Sequence, residues 1–187
     1  GYVVFGRDQG FPATIDLASD ADLTIQGAAA GDQSGSSVSG AGDVDGDGID
    51  DLLIGAPYSN GRGLAGASYV VFGSTAGFAP SLELSSLDGN NGFVINGVDA
   101  DDSSGRSVSG VGDFNGDGID DVIIGAPATF PYSGTAGRAY VLFGRDFRGK
   151  GPIVGTEDDS ELTGTFGADA IIGGQGNDLL HGAGGDQ

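Results

Sequence analysis

The chain of 187 residues contains a long internal repeat. Residues 36–57 read SSVSGAGDVDGDGIDDLLIGAP, and residues 106–127 read RSVSGVGDFNGDGIDDVIIGAP, so that Asp43 of the first copy corresponds to Asp113 of the second. A second block, YVVFG, occurs at 2–6 and 69–73 and returns as YVLFG at 140–144. Internal self-similarity is the signature of architectures built from repeated structural units. The sequence therefore predicts two full units, preceded by the end of another.

Glycine content limits the secondary structure that these units can form. Gly supplies 39 of the 187 residues, roughly three times its ordinary usage. Each Gly inside a helix costs about 1 kcal/mol relative to Ala. A helical bundle is therefore excluded, and the repeats are expected to be built from strands and turns.

Each unit contains several short segments with strand character. SVSGAG at 37–42 is a small-residue strand, whereas DLLIGAP at 51–57 and ASYVVFG at 67–73 are rich in β-branched, apolar and aromatic residues. DLTIQG at 22–27 and GFVING at 92–97 supply a further strand, again at equivalent places in successive units. Four short antiparallel strands per repeat predict an all-β fold of propeller-type blades. An ordinary β-sandwich is the alternative.

The charge of the chain excludes several classes of partner. Asp and Glu number 27 against 7 Lys and Arg, which gives a net charge of −20. Nucleic-acid binding needs clustered cations, so nucleic acid is not an expected partner. The sequence has no apolar run of about 18 residues, so membrane insertion is not expected either. Because such negative charge repels itself in a compact state, bound metal cations are expected.

The segment 43–51 lies between two predicted strands and carries carboxylates at alternate positions. Its positions 1, 3, 5, 7 and 9 are Asp43, Asp45, Asp47, Ile49 and Asp51. Side chains that converge inside a tight loop can supply the oxygen ligands of Ca²⁺, and position 7 is expected to contribute a backbone carbonyl. Gly48 at position 6 permits the sharp turn. The sequence therefore predicts a Ca²⁺ site at this loop.

The segment 113–121 repeats the pattern with one change. Its corresponding positions are Asp113, Asn115, Asp117, Ile119 and Asp121. Asn115 replaces a carboxylate with an amide, which still offers an oxygen ligand. A second Ca²⁺ site is therefore predicted.

Other interpretations of the two loops are weaker. Position 12 is Ile54 or Ile124 rather than Glu, so neither loop is a helix–loop–helix calcium site. Mg²⁺ demands a stricter octahedron and keeps its waters, and transition metals prefer His or Cys ligands. The remaining alternative is that both loops are Asp-Gly turns on a solvated edge.

The run from SVSGAGDVDGDGIDDLLIGAP to YVVFG resembles the FG-GAP repeat of the integrin alpha-chain β-propeller and its bacterial relatives. The resemblance covers roughly residues 1–144. It implies four-stranded propeller blades and a structural Ca²⁺ site in each DxDxDG-type loop, with the ligands named above. Such propellers usually have seven blades, whereas two complete units and a fragment are present here. The implied divisions are 1–26, the end of a partial repeat, then repeats at 27–96 and 97–150.

The tail, 151–187, changes to a rhythm of nine positions. Gly173–His181 reads GGQGNDLLH and is similar to the nonapeptide of RTX proteins, which are secreted calcium-binding β-rolls. The resemblance implies that loops two repeats apart share Ca²⁺, so that position-6 residues of alternate repeats pair. Asp169 and Asp178 are the tail's candidate ligands. The position-6 residue with which each would pair has no carboxylate. A short, weakly calcium-binding β-roll is therefore expected.

These features together predict a secreted, non-enzymatic structural or adhesion protein whose blades are stabilised by bound Ca²⁺. The chain has one His and no Cys, and it lacks a nucleophile motif. Open blade edges are expected to pair with other copies as an oligomer or filament. Two further expectations stay open: an extracellular protein or glycan ligand, and an accessory role in a larger secreted adhesin or hydrolase.

Overall fold

The computed structural model describes residues 1–59, 65–127 and 136–145, together with the backbone of four short strands between residues 153 and 181. In chain order the elements are β1 (Tyr2–Val3), α1 (Leu17–Asp20), β2 (Leu23–Gln26), β3 (Ser37–Gly42), β4 (Asp51–Ala56), β5 (Ala67–Val71), β6 (Ser81–Glu83), β7 (Gly92–Asn96), β8 (Ser107–Gly112), β9 (Asp121–Ala126), β10 (Arg138–Leu142), β11 (Ile153–Val154), β12 (Glu161–Thr163), β13 (Ile171–Ile172) and β14 (Leu179–His181). Helix in the described residues is confined to the single turn of α1 and a 3₁₀ turn at Leu84–Ser86. The predicted all-β fold is confirmed.

The first full repeat forms a four-stranded antiparallel sheet in the order β3-β4-β5-β7. Leu53 of β4 pairs with Val70 of β5, which pairs in turn with Phe93 of β7. The pairing of β3 with β4 shifts register between Gly40 and Gly42, immediately before the acidic loop. This sheet is the four-stranded blade that the sequence predicts.

The second full repeat reproduces the first three of these strands. Its sheet has the order β10-β9-β8 and is antiparallel throughout. The register shift recurs between Gly110 and Gly112, which are the equivalents of Gly40 and Gly42. The same sequence pattern therefore gives the same local backbone twice.

The partial repeat at the start of the chain contributes the last two strands of a blade. β1 pairs with β2 through Val3 and Leu23, as β5 pairs with β7 through Val70 and Phe93. Across its other edge β2 pairs in parallel with β6, a strand that the sequence analysis did not predict. Because β6 lies within 27–96, the first sheet takes strands from both sides of the predicted boundary at residue 26.

Apolar side chains fill the space between consecutive sheets. The inter-repeat core joins the two full repeats and consists of Ala41, Val44, Leu53, Val70, Phe72, Phe93 and Val122, with Ile95, Val108 and Leu142 packed against it. The N-terminal core joins the partial repeat to the first full repeat and consists of Leu23, Ile25, Ile54, Ala56, Ala67, Tyr69, Val71 and Leu84. The first full repeat is thus covered on both faces, and every residue of β5 is buried.

The tail strands pair in parallel, as β2 and β6 do, and both tail pairings have the same spacing in the chain. β11 pairs in parallel with β13 through Ile153 and Ile171, and β12 pairs in parallel with β14 through Leu162 and Leu180. In both pairings the two partners are separated in the chain by two nine-residue repeats of the tail. The pairing therefore joins alternate nine-residue repeats.

Candidate metal centre

The loop after β3 is shaped by its own carboxylates. Asp43 accepts hydrogen bonds from the backbone N–H groups of Asp47, at 2.9 Å, and Gly48, at 2.8 Å. Asp47 in turn accepts one from the N–H of Ile49 at 2.9 Å. Asp side chains that bond backbone groups a few residues ahead favour turns over strands. The acidic positions therefore fold the loop as well as lining it.

Three of the predicted ligands converge in this loop. Asp43, Asp45 and Asp51 each place a carboxylate oxygen so that all three oxygens lie within 4.8 Å of one another. Asp45 and Asp51 are each 2% exposed, and Asp43 is half-buried. Oxygen atoms at this separation can bind one hard divalent cation, which coordinates at about 2.3–2.6 Å in the case of Ca²⁺.

Asp51 also ties the loop to the end of β5. Its carboxylate accepts hydrogen bonds from the N–H groups of Val44, at 3.0 Å, and Gly73, at 2.8 Å. Burial raises the pKa of Asp51 to about 6; these two hydrogen bonds lower the pKa, and the charges of Asp45 and Asp43 raise it. A cation at this position favours the ionised carboxylate by direct attraction.

Asp47 and Ile49 are the other two predicted ligands of this loop. Asp47 is exposed and is not one of the three clustered carboxylates. Ile49 is half-buried, and its side chain packs closely against Gly73, where a Cβ atom would overlap it. The structure thus brings together positions 1, 3 and 9 of the predicted ligand set.

The second loop has the same internal hydrogen bonds but a more open setting. Asp113 accepts from the N–H groups of Asp117, at 3.0 Å, and Gly118, at 2.9 Å. Asn115 donates its side-chain amide to Asp117 at 2.8 Å. Of the described residues, only those of the first loop bring three acidic groups together, because Asn115 stands where the first loop has Asp45.

Asp121, at position 9 of the second loop, repeats the role of Asp51. It accepts hydrogen bonds from the N–H groups of Phe114, at 2.9 Å, and Gly144, at 2.8 Å. It is fully buried, whereas Asp113, Asn115 and Asp117 are exposed. The tail candidates Asp169 and Asp178 lie outside the described residues.

Asp120 joins the two loops, a role that the sequence analysis did not identify. Its carboxylate accepts a hydrogen bond from the N–H of Asp43 at 3.1 Å, and its own N–H donates to the carbonyl of Asp43 at 3.0 Å. The N–H of Arg145 donates to the carbonyl of Val44 at 2.9 Å. The sequence signal for this role was the Asp-Asp pair at 120–121, which is repeated at 50–51. Asp121 faces its own loop, whereas Asp120 faces the loop of the preceding repeat.

Comparison with known proteins identifies the repeated unit. The family model for the FG-GAP repeat matches residues 34–71 and 104–142. Bovine phosphatidylinositol-glycan-specific phospholipase D is 37% identical over 105 residues, which cover 54% of this chain and 12% of that protein. Integrin alpha-5 of Xenopus laevis is 29% identical over 166 residues, which cover 75% of this chain and 15% of that protein.

The matched segments include both acidic loops and the strands that flank them. The chain spans only 12% to 15% of the length of these two relatives. No helix in the described residues combines the length and apolarity that crossing a bilayer requires. The fold, the repeat spacing and the family match agree, and the chain carries two FG-GAP repeats, at residues 34–71 and 104–142.

Proposed function

We propose that this chain is a secreted, calcium-stabilised structural or adhesion segment in which Ca²⁺ fixes the connection between the first two strands of each blade. The observation that carries the proposal is the cluster of Asp43, Asp45 and Asp51. Ca²⁺ is favoured over Mg²⁺ because the loop offers many protein oxygens, whereas Mg²⁺ demands a stricter octahedron and keeps its waters. In the second loop, Asp113, Asn115, Asp117 and Asp121, with the Ile119 carbonyl, would form a weaker site.

Calcium at the first loop would act at the contact between the repeats. The loop backbone is bonded to Asp120 of the second repeat, and Val44, inside the loop, belongs to the inter-repeat core. A cation that binds the folded loop but not the unfolded chain stabilises the folded state by mass action. We therefore expect Ca²⁺ to stabilise both the loop and the packing of one repeat on the next.

The test is the thermal midpoint of two matched variants, in Ca²⁺ and in chelator. Asp45→Asn removes one clustered carboxylate, whereas Asp50→Asn removes the same charge from an exposed neighbour outside the cluster. In millimolar Ca²⁺ we expect Asp45→Asn to lose several degrees and Asp50→Asn to stay near the parent. In chelator the Asp45→Asn deficit should largely vanish. An equal deficit in both solutions contradicts the metal assignment.

Self-association through an open face is the second part of the proposal. The inter-repeat core buries Ala41, Val44, Val70 and Phe72, which are 1%, 2%, 0% and 4% exposed. The equivalent residues one repeat later define the C-terminal face: Val111, Phe114, Val141 and Phe143, which are 39%, 71%, 42% and 48% exposed. An exposed apolar patch of this kind marks an interaction surface. Another blade, from a second copy, is the proposed partner.

Light-scattering mass tests this association. The parent chain in Ca²⁺ should exceed its monomer mass of 18.4 kDa at micromolar concentration, and Phe114→Ser with Phe143→Ser should return it towards that mass. Phe11→Ser is the matched control, because Phe11 is also exposed but lies outside the C-terminal face. A parent that stays monomeric, or a double variant that associates as the parent does, contradicts the proposal.

The tail is proposed to be an RTX-like β-roll remnant, consistent with an extracellular location. The parallel pairings of Ile153 with Ile171 and of Leu162 with Leu180 support this assignment, because stacked nine-position turns place alternate units in the same sheet. No catalytic role is proposed, and an extracellular protein or glycan is the expected ligand class. The alternative is an accessory segment of a larger secreted adhesin or hydrolase, and the small share of each relative that the chain spans favours this alternative.

A further inference from the structure

Two Asn-Gly pairs lie among the described residues, in different settings. Asn115 and Gly116 belong to the second acidic loop, whereas Asn91 and Gly92 lie at the start of β7. The pair at 60–61 lies outside the described residues. In an Asn-Gly pair the backbone nitrogen that follows the side-chain amide is unhindered, because Gly has no Cβ. This nitrogen can attack the amide and displace ammonia, provided that the local backbone holds the two groups suitably.

The side chain of Asn115 is folded forward over the peptide bond that follows it. Its Oδ1 accepts a hydrogen bond from the N–H of Asp117 at 2.9 Å, and its Nδ2 donates to the carboxylate of Asp117 at 2.8 Å. The first of these bonds closes a ring of atoms that includes the nitrogen of Gly116. Asn115 and Gly116 are both exposed, and a Cβ on Gly116 would meet no atom within 4 Å. The reacting groups are therefore held in one compact turn that is open to water.

The contacts of this turn match the needs of an attack on the side-chain amide. The N–H of Asp117 polarises the Asn115 carbonyl and would stabilise the negative charge that develops on its oxygen. The N–H of Gly116 donates to Oδ1 of Asp113 at 2.6 Å, so that this carboxylate can take the proton as the nitrogen attacks. Holding nucleophile and carbonyl in one turn also lowers the entropic cost of bringing them together.

Asn91 carries the same reacting groups in a different arrangement. Its Oδ1 accepts a hydrogen bond from the N–H of Asp88 at 3.0 Å, and its Nδ2 donates to the carbonyl of Ser86 at 3.3 Å. Both partners precede Asn91 in the chain, so the side chain is bonded away from the peptide bond that follows. Gly92 is buried in β7, where it pairs with Val71. The pair at 91–92 is therefore a comparison within the same molecule.

We propose that Asn115 is a deamidation site and that the fold of the second acidic loop promotes the reaction. The nitrogen of Gly116 forms a bond to Cγ of Asn115, and the bond from Cγ to Nδ2 breaks. The amide leaves as ammonia, which carries the proton of the Gly116 N–H, and a cyclic imide remains. Water then adds to one imide carbonyl and opens the ring, giving aspartate when it adds at Cγ and isoaspartate when it adds at the main-chain carbonyl. Water is the only co-reactant, and no group is oxidised or reduced.

The first loop shows how the aspartate product is accommodated. Asp45 occupies the equivalent position and accepts a hydrogen bond from the N–H of Asp47 at 3.1 Å, the counterpart of the bond from Asp117 to Asn115. Deamidation therefore gives the second loop the carboxylate pattern of the first. Because the number of charged ligands tunes Ca²⁺ affinity, this product would strengthen the second Ca²⁺ site. That consequence rests on the proposed function, whereas the reaction itself does not.

The test is site-resolved mass spectrometry of the full chain, aged in chelator at neutral pH and well below its thermal midpoint, with fragmentation that separates aspartate from isoaspartate. Synthetic peptides of residues 109–121 and 85–97 give the rates of the two pairs outside the fold. In the chain we expect Asn115 to react at least as fast as in its peptide and at least tenfold faster than Asn91. An intact Asn115, a rate no higher than that of Asn91, or a rate below that of its peptide overturns the proposal.

Two matched variants test the part played by Asp113. Asp113→Asn keeps an oxygen acceptor but removes the negative charge, and it should slow the reaction of Asn115 several-fold. Hydrogen exchange at the Asp117 amide reports whether the turn is retained in this variant. Asp50→Asn removes the same charge from the other loop and should leave the rate unchanged. An unchanged rate in Asp113→Asn, with the Asp117 amide still protected, overturns the role of Asp113 as proton acceptor.

Calorimetric Ca²⁺ titration tests the consequence separately. Asn115→Asp reproduces the aspartate product and should bind Ca²⁺ at the second loop at least tenfold more tightly than the freshly purified parent. Equal affinities overturn the effect on Ca²⁺ and count against the proposed second site. The mass measurement decides the deamidation by itself, because it is made in chelator.

Discussion

Gly42 and Gly112 are equivalent glycines that are required for different reasons. Both adopt positive φ, +74° and +69°, a conformation that costs other residues about 1–2 kcal/mol. A Cβ atom on Gly42 would lie 2.8 Å from Cβ of Asp120 and closer still to its carboxylate, whereas one on Gly112 meets nothing within 4 Å. Gly42 is therefore required by the backbone and by the contact between repeats, and Gly112 by the backbone alone.

We predict different costs for the two Gly→Ala substitutions. Gly112→Ala should lower the free energy of unfolding by the backbone strain, about 1–2 kcal/mol. Gly42→Ala should lower it by about 1–3 kcal/mol more, because overpacking displaces Asp120 from the first loop. Urea unfolding of both variants measures the difference, and equal losses contradict the close contact with Asp120.

Strands β4 and β9 also occupy equivalent positions but differ in how closely the neighbouring sheets pack against them. They are aligned in sequence and in pairing, yet β4 lies between two other sheets while β9 belongs to the second repeat, whose far face is exposed. Leu53 of β4 is fully buried in the inter-repeat core. Ile123, its equivalent in β9, is only half-buried. The stability of each blade therefore depends on its neighbours as well as on its own strands.

Truncation to Ala should lower the free energy of unfolding by different amounts in the two strands. Leu53→Ala should lower the free energy of unfolding by about 2–5 kcal/mol, the range for a fully buried Leu. Ile123→Ala removes less buried surface and should lower it by clearly less. The measurement is urea unfolding at fixed Ca²⁺, and a larger loss for Ile123→Ala contradicts the assigned packing.

At the scale of the whole molecule, we expect the net charge and the proposed metal binding to be linked. A net charge of −20 on 187 residues opposes compaction by self-repulsion, which salt screens. Among the described residues, nine carboxylates lie in the two acidic loops, at 43–51 and 113–121. If the proposed Ca²⁺ sites bind, we therefore expect cations to stabilise the molecule both at those sites and by general screening.

Salt titration separates these two effects. In chelator, raising NaCl from about 0.05 to about 0.5 M, which shortens the screening length roughly threefold, should raise the thermal midpoint by several degrees. In saturating Ca²⁺ the rise should be smaller, since bound ions already offset part of the repulsion. Sucrose at matched osmolality controls for solvent exclusion. An equal rise in both solutions contradicts the link between charge and the sites.

Much of this fold was predictable because its signals are local and occur twice. The strands at 37–42, 51–56 and 92–96, and the turns after Gly42 and Gly112, follow from side-chain pattern and from Asp–backbone hydrogen bonds within a few residues. β6 was not predictable, because its run Ser81–Glu83 is only three residues long and its partner β2 lies far earlier in the chain. The role of Asp120 was hidden for a related reason: its partner, Asp43, is distant in the chain.

The sequence by itself determined the repeat, the strands of the two full repeats, the turns of both acidic loops and the candidate cation ligands. Only the tertiary structure decided which of two equivalent positions is the more buried: Val44 rather than Phe114, Phe72 rather than Phe143, and the half-buried Val108 rather than the exposed Val38. The physical reason is that secondary structure depends on residues near in sequence, whereas burial depends on which sheet lies against each face. Similar repeats therefore fold alike but differ in their surroundings, and those differences leave the C-terminal face exposed.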